Sequence, residues 1–237
     1  MPFLPRGKDL IRIYREEGLT AAVKSPFTYA YSSVFEGVRY QTDRRVDLEQ
    51  RWELMHPEIA DSDSSLLDVG CAEGALTERF SDEGLFCLGV DVLESRLAPA
   101  RKRESPENDV RFINYEVTPT NVGKLPTFDV VLLLTVYYHW CREYGQGQGE
   151  LMLKTLANGS HKLFFQPPGG EFENHPFDES EFDTTVEGYE TYLDELFGGR
   201  VGIELLGETD YRGGERRDPL FVLRCGEYQR GSTAGAR

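Results

Sequence analysis

Lysine is scarce in this sequence, and long apolar runs are absent. Six lysines, Lys8, Lys24, Lys102, Lys124, Lys154 and Lys162, occur in 237 residues, and the formal net charge is −15. Binding to a polyanion needs a basic footprint that displaces its counterions, so nucleic acid is disfavoured as a partner. An acidic surface repels itself at low salt, and at about 1 M salt, where the Debye length is roughly 3 Å, that repulsion is screened. The composition therefore suits a salt-rich, halophilic cytoplasm, the plainer alternative being a merely acidic, soluble protein. No window approaches the roughly 18 consecutive apolar residues that span a bilayer. The first residues are interrupted by Arg6, Lys8, Asp9, Arg12, Arg15 and Glu16 and lack the apolar centre of a secretory signal. No membrane association and a cytoplasmic location are expected. The four cysteines, Cys71, Cys87, Cys141 and Cys225, form no C-x-x-C pair, and His56, His139, His161 and His175 do not cluster with them, so no metal site is expected. Cys71 and Cys87 stand in apolar surroundings and read as buried small hydrophobes.

The length suffices for one domain with a full core. Residues 1–60 read as an extension of that unit, outside any strand–helix alternation. Lys8–Glu17 and Thr20–Lys24 suit short helices, and Phe27, Tyr29, Tyr31, Phe35 and Tyr40 form a dense aromatic stretch that either packs on the core or covers a ligand as a lid. From Thr42 to His56, apolar Val46, Leu48, Trp52 and Met55 among charges predict an amphipathic helix that ends at His56-Pro57.

Residues 61–226 carry the main domain. Strands are expected at 65–69, 86–90, 110–115, 128–135 and 162–166, with helices at 75–82, 93–103, 150–158 and 184–197. Residues 167–183 read as a small excursion. Val201–Leu206 and Leu220–Cys225 suit a terminal antiparallel hairpin joined by a polar, Gly-rich stretch, and 227–237 suit a disordered tail. The fold class that follows is α/β: Rossmann-like and doubly wound, with a mostly parallel seven-stranded sheet, a terminal antiparallel hairpin and an N-terminal helical and aromatic extension.

In open parallel sheets ligands bind beyond the carboxyl ends of the strands. Those ends are Gly70–Gly74, Asp91, Glu116, Thr135–Trp140 and Gln166–Gly170. Leu66-Leu67-Asp68-Val69-Gly70-Cys71-Ala72-Glu73-Gly74 runs from a strand into a Gly-rich turn, and a side chain at Gly70 or Gly74 is expected to obstruct a ligand there. A pyrophosphate-binding turn has the form G-x-G-x-x-G, and the third glycine is missing here. Asp91 lies at the offset from the turn where a carboxylate meets ribose hydroxyls. Gln166-Pro167-Pro168-Gly169 reads as a rigid turn.

Asp68-Val69-Gly70-Cys71-Ala72-Glu73-Gly74, with Asp91, Glu116 and the run Phe128–Trp140, resembles the motifs of class I S-adenosylmethionine-dependent methyltransferases over roughly residues 65–225. The chain departs from the family pattern at Ala72, where a glycine is common. The resemblance implies an enzyme with S-adenosyl-L-methionine as cofactor, held by Asp68, Gly70, Cys71, Ala72, Gly74, Asp91, Val92, Glu116 and Thr135. It further implies transfer of a methyl group to an oxygen or nitrogen of a small-molecule acceptor. Taking a proton from that acceptor needs a base. His139 is the expected base, its alternative role being a helix cap or a backbone hydrogen bond, and Tyr138 is expected to line the pocket or pack on it. Two alternatives stay open: a tRNA-modifying methyltransferase, suggested by the Tyr-His after the fourth strand, and a non-catalytic cofactor-binding protein. The sequence does not set the oligomeric state.

Overall fold

A computed structural model describes residues 45–105, 107–170, 183–211, 214 and 216–225. The aromatic stretch Phe27–Tyr40, the short helices expected before it, most of the excursion expected at 167–183 and the tail at 227–237 lie outside the described residues. All described residues except Arg45 belong to one compact unit.

In chain order the elements are α1 (Arg45–Met55), β1 (Ser65–Val69), α2 (Ala75–Asp82), β2 (Phe86–Asp91), α3 (Glu94–Arg101), β3 (Val110–Asn114), β4 (Val130–Leu134), α4 (Tyr137–Tyr144), α5 (Gln146–Asn158), β5 (Lys162–Gln166), α6 (Val186–Phe197), β6 (Gly202–Tyr211) and β7 (Arg216–Arg224). The seven strands form one sheet in the order β3-β2-β1-β4-β5-β7-β6. The pairs from β3 to β5 are parallel, and β7 is antiparallel to both β5 and β6. The expected fold class is the observed one.

Strand β4 sits at the middle of the sheet, and all five of its residues, Val130-Val131-Leu132-Leu133-Leu134, are buried. A strand covered on both faces reads as a continuous apolar run, and burying each such side chain contributes about 1.5–3 kcal/mol. Alternate residues face opposite sides. Leu67, Val69, Val131, Leu133, Leu163 and Phe165 pack with α5 and α6, whereas Leu66, Val130, Leu132 and Phe164 pack with Met55 of α1, Phe80 of α2 and Leu97 of α3. Asp129 fastens the end of the sheet remote from the Gly turn. Its Oδ2 accepts from the amides of Ser64 and Ser65 at 2.9 and 3.0 Å and from their hydroxyls at 2.8 and 3.0 Å. Although partial burial opposes ionisation, these donors hold its carboxyl below the usual range.

Three local expectations need correction. The stretch expected to join the last two strands is itself mostly strand: β6 runs to Tyr211 and β7 begins at Arg216, with a register shift between Leu205 and Gly207. Its polarity hid it, because buried Thr209 and Asp218 take the places that apolar residues would occupy. Helix α1 ends where expected, yet Val46 is 55% exposed while Asp47 and Arg51 are buried. The hydroxyl of Thr209 donates to Asp47 Oδ1 at 2.9 Å, and Gln50 exchanges hydrogen bonds with Asp210 at 2.9 and 2.7 Å. A charge buried with its partners is tolerated, so this face packs on the hairpin through polar groups. Finally, the chain after β4 forms helix α4, and the following helix begins at Gln146 instead of Glu150, the two being separated by Gly145 at φ +86°.

Candidate functional site at the switch point of the sheet

β1 pairs with β2 on one side and β4 on the other, so the connections diverge there and open a crevice at the strands' carboxyl ends. The Gly-rich turn lies at that point. Gly70, Ala72 and Gly74 have φ values of +78°, +51° and +76°. The amides of Gly70 and Cys71 both donate to the carbonyl of Val90, at 2.8 and 3.1 Å, which docks the turn on β2. The protein itself already demands glycine at the two ends of the turn. A Cβ at Gly70 would stand 2.4 Å from Cγ2 of Val136, and one at Gly74 would stand 2.4 Å from the Phe112 ring. Neighbouring protein atoms, together with the left-handed backbone, already require glycine at both positions. Gly74 also caps α2, and no side chain caps that helix end.

Two carboxylates approach the turn. Asp91, 7% exposed, accepts from the amide of Ala72 through Oδ2 at 2.9 Å and from the amide of Leu93 through Oδ1 at 2.8 Å. Asp68 is buried and accepts from the hydroxyl of Thr77 at 2.6 Å, tying β1 to α2. Burial, with the negative charge of Asp91 as a further contribution, pushes the Asp68 carboxyl up to about 6 against the opposing bond from Thr77. Cys71 is buried, and burial followed by the charges of Asp68 and Asp91 raises its thiol pKa far above the ordinary value. It is an inert packing group, as its surroundings in the sequence suggest, and so is Cys87, whose thiol burial pushes up to about 12.

The rim brings together residues the sequence reading named and some it missed. Val92 is exposed beside Asp91. Asn114 donates through Nδ2 to the carbonyls of both Asp91 and Val92, at 3.0 and 2.9 Å. It was legible only as a residue within an expected strand. Glu116 accepts from the hydroxyl of Tyr144 at 3.1 Å, which links the rim after β3 to α4. Thr135, the residue after β4, has φ +56° and donates its amide to the carbonyl of Gln166 at 2.8 Å. A β-branched residue in the left-handed region is a true outlier, and such strain gathers at functional sites.

Tyr138 is half-buried, with its ring 3.9 Å from that of His139. The amide of His139 donates to Val136, so its backbone belongs to the first turn of α4. Desolvation by the surrounding chain, followed by the positive charges of Arg142 and Arg96, pushes its imidazole down to about 4. The side chain is nonetheless exposed. Tyr137 turns inward instead: its hydroxyl is bonded to that of Tyr192, which donates to Glu150 at 3.2 Å, and burial raises both phenols. Among the described residues no group of three or more His, Cys, Asp or Glu is placed to hold a metal ion. No described helix is long and apolar enough to cross a membrane.

Residues 67–159 match a family model described as a methyltransferase domain. The chain is similar to the ubiquinone biosynthesis O-methyltransferase of Rickettsia conorii (strain ATCC VR-613 / Malish 7), with 29% identity over 126 residues, 53% of this chain and 42% of that protein. It thus spans less than half of that relative's length. Among solved structures it resembles WbdD, at a TM-score of 0.59 and 18% identity, covering 76% of this chain and 39% of that one. It also resembles magnesium protoporphyrin IX methyltransferase (ChlM) from Synechocystis PCC 6803 with bound SAM, at a TM-score of 0.53 and 17% identity, covering 93% and 92% of the two chains. At these identities the structural likeness is one of fold.

Proposed function

We propose that the chain is a class I S-adenosylmethionine-dependent methyltransferase that transfers a methyl group from S-adenosyl-L-methionine to an oxygen of a small-molecule acceptor, a reading supported by the matching methyltransferase-domain model and the similar O-methyltransferase. The observation that carries the reading is the placement of Asp91. A carboxylate has about four acceptor positions, and the amides of Ala72 and Leu93 use two of them. Capacity for two ribose hydroxyls remains, at the switch point and beside the turn formed by Gly70, Ala72 and Gly74. The turn lacks the third glycine of a pyrophosphate-binding G-x-G-x-x-G turn, in keeping with a cofactor whose reactive end is a sulfonium. When bound, that cofactor supplies an electrophilic methyl group.

Within this reading Asp91 binds the ribose, the turn receives the rest of the nucleoside, and Val92 and Glu116 border the adenine. Asp68 supports the turn from beneath through Thr77. Thr135 stands with the cofactor, and Tyr138 and His139 form the acceptor side. His139, with its pKa below the ordinary value, is neutral at pH 7 and takes the hydroxyl proton as a weaker base than a free imidazole, while the methyl group leaves sulfur for oxygen. Holding the acceptor oxygen in line with the methyl group supplies much of the remaining acceleration, up to about 7–11 kcal/mol in favourable systems. Oxygen is preferred over nitrogen because the curated relative is an O-methyltransferase. A small molecule is preferred over RNA because of the net charge of −15, which also fits action in a salt-rich cytoplasm.

Titration calorimetry with S-adenosylmethionine and S-adenosylhomocysteine tests the core of the proposal. Binding by the wild type and at least tenfold weaker binding by Asp91→Ala are expected, since charge-assisted hydrogen bonds contribute about 1.5–3 kcal/mol each. Absence of binding by the wild type, or undiminished binding by the variant, overturns it. A radiolabelled methyl-transfer screen of lysate fractions with and without ribonuclease then separates small-molecule from RNA acceptors, and no labelled fraction despite tight binding favours a non-catalytic protein.

A further inference from the structure

β2 and β3 end side by side, with Asp91 paired to Asn114. Beyond that pair the chain at Val92 leaves the sheet to begin α3. Val92 is 55% exposed, so burial does not fix its peptide. Asn114 does. Its Nδ2 donates to the Asp91 carbonyl at 3.0 Å and to the Val92 carbonyl at 2.9 Å, and the Tyr115 amide is a second donor to the Asp91 carbonyl at 3.1 Å. Both acceptors are carbonyls, so the orientation of the amide is settled: only its NH2 group can serve.

The Val92 carbonyl and the Leu93 amide belong to one planar peptide unit, and in a trans peptide they point in opposite directions. Asn114 holds the carbonyl side of that unit, while the amide side donates to Asp91 Oδ1 at 2.8 Å. The links form a continuous line from Asn114 through the 92–93 peptide to the carboxylate of Asp91. Fixing one end of a rigid plate fixes the other, and hydrogen bonds in series strengthen one another. A residue that merely ended a strand would need one such bond. Asn114 spends both N–H groups on consecutive carbonyls.

We infer that Asn114 is a positioning residue: by holding the 92–93 peptide it sets the orientation of the Asp91 carboxylate for the two ribose hydroxyls of the cofactor. The inference rests on the assignment of Asp91 as the ribose-binding acid, and its test separates the two.

Three proteins are compared, the wild type, Asn114→Leu and the isosteric Asn114→Asp, which keeps the shape but presents oxygen to the carbonyls. Hydrogen exchange of the Leu93 amide is measured without ligand, and calorimetry is performed with S-adenosylhomocysteine and with its 2′,3′-dideoxy analogue. The expected result is exchange at Leu93 accelerated about tenfold in both variants, in keeping with the loss of a hydrogen bond from a local opening equilibrium. S-adenosylhomocysteine is expected to bind about tenfold more weakly to both, while the dideoxy analogue changes by no more than about twofold. Equal weakening of the two ligands, or unchanged exchange at Leu93, overturns the inference. If the wild type binds neither ligand, the assignment of Asp91 fails and the role in cofactor binding fails with it, while the exchange data still decide whether Asn114 holds the peptide.

Discussion

The hydroxyl of Thr77, in the first turn of α2, donates to Oδ2 of Asp68 in β1 at 2.6 Å, and both residues are buried. One hydroxyl does not compensate a buried carboxylate. Burial raises the Asp68 pKa from 3.8 to about 6, so the folded protein holds a proton there that the unfolded chain releases between those values. Stability contributed by this group is present below pH 3.8 and is lost as the pH rises toward 6, by roughly 3 kcal/mol in all. Asp68→Asn keeps an acceptor for Thr77 and carries no charge. It is expected to be more stable than the wild type at pH 8 by up to about 3 kcal/mol and to lose this advantage near pH 4, as urea unfolding at the two pH values will show.

Ala72 and Gly74 should respond in opposite directions to substitution. Ala72 pays for a left-handed backbone, and Ala72→Gly is expected to stabilise the fold by about 1 kcal/mol, net of the greater freedom of glycine in the unfolded chain. Gly74→Ala adds left-handed strain and a Cβ that meets Phe112 at 2.4 Å, so a loss above about 2 kcal/mol is expected. Denaturant midpoints of the two variants provide the check.

His139 predicts a pH profile. A base works when deprotonated, and with its pKa near 4 the imidazole is in that form throughout the neutral range. The rate kcat/KM should stay level through the neutral range, with its acidic limb displaced below the ordinary 6.5. His139→Ala should lower kcat by about 10²-fold or more and remove the acidic limb. Unchanged turnover would remove His139 from the mechanism.

Salt should stabilise the protein. With a net charge of −15, self-repulsion falls as ionic strength rises. The melting temperature is expected to increase between about 0.1 and 1 M KCl, as the Debye length shortens from roughly 10 to 3 Å. A flat or falling curve would argue against adaptation to a salt-rich cytoplasm.

The sheet and the Gly-rich turn were legible because their residues are apolar in runs or required by backbone geometry. Val130–Leu134 reads as a central strand since both of its faces are covered, and Gly70–Gly74 reads as a turn since few other residues accept its φ angles. The outer half of the hairpin was illegible for the complementary reason. Thr209 and Asp218 are fully buried but satisfied by polar partners, and periodicity of hydrophobicity cannot register such burial. Within the site, Asp91 and the residues near Thr135 followed from the rule that ligands meet strand ends. Asn114 did not, because its work is done on two carbonyls, and a sequence carries no mark of where a carbonyl points.

The polar contacts between α1 and the hairpin also act against misassembly. Gln166 Nε2 donates to Thr209 at 2.9 Å, Thr209 donates to Asp47 at 2.9 Å, and Asp218 accepts from Arg216 at 2.6 Å and from the amide of Gly169 at 2.9 Å. A slip of one residue along β6 would turn Thr209 to the opposite face and take from Asp47 and Gln166 the hydroxyl that bonds to both. A slip of two residues would keep every side chain on its face, and an apolar seam would tolerate it at modest cost, whereas this one loses its paired hydrogen bonds in that alignment too. The hairpin is thereby keyed to a single alignment, and the choice is made by the residues that contribute least to hydrophobic stability.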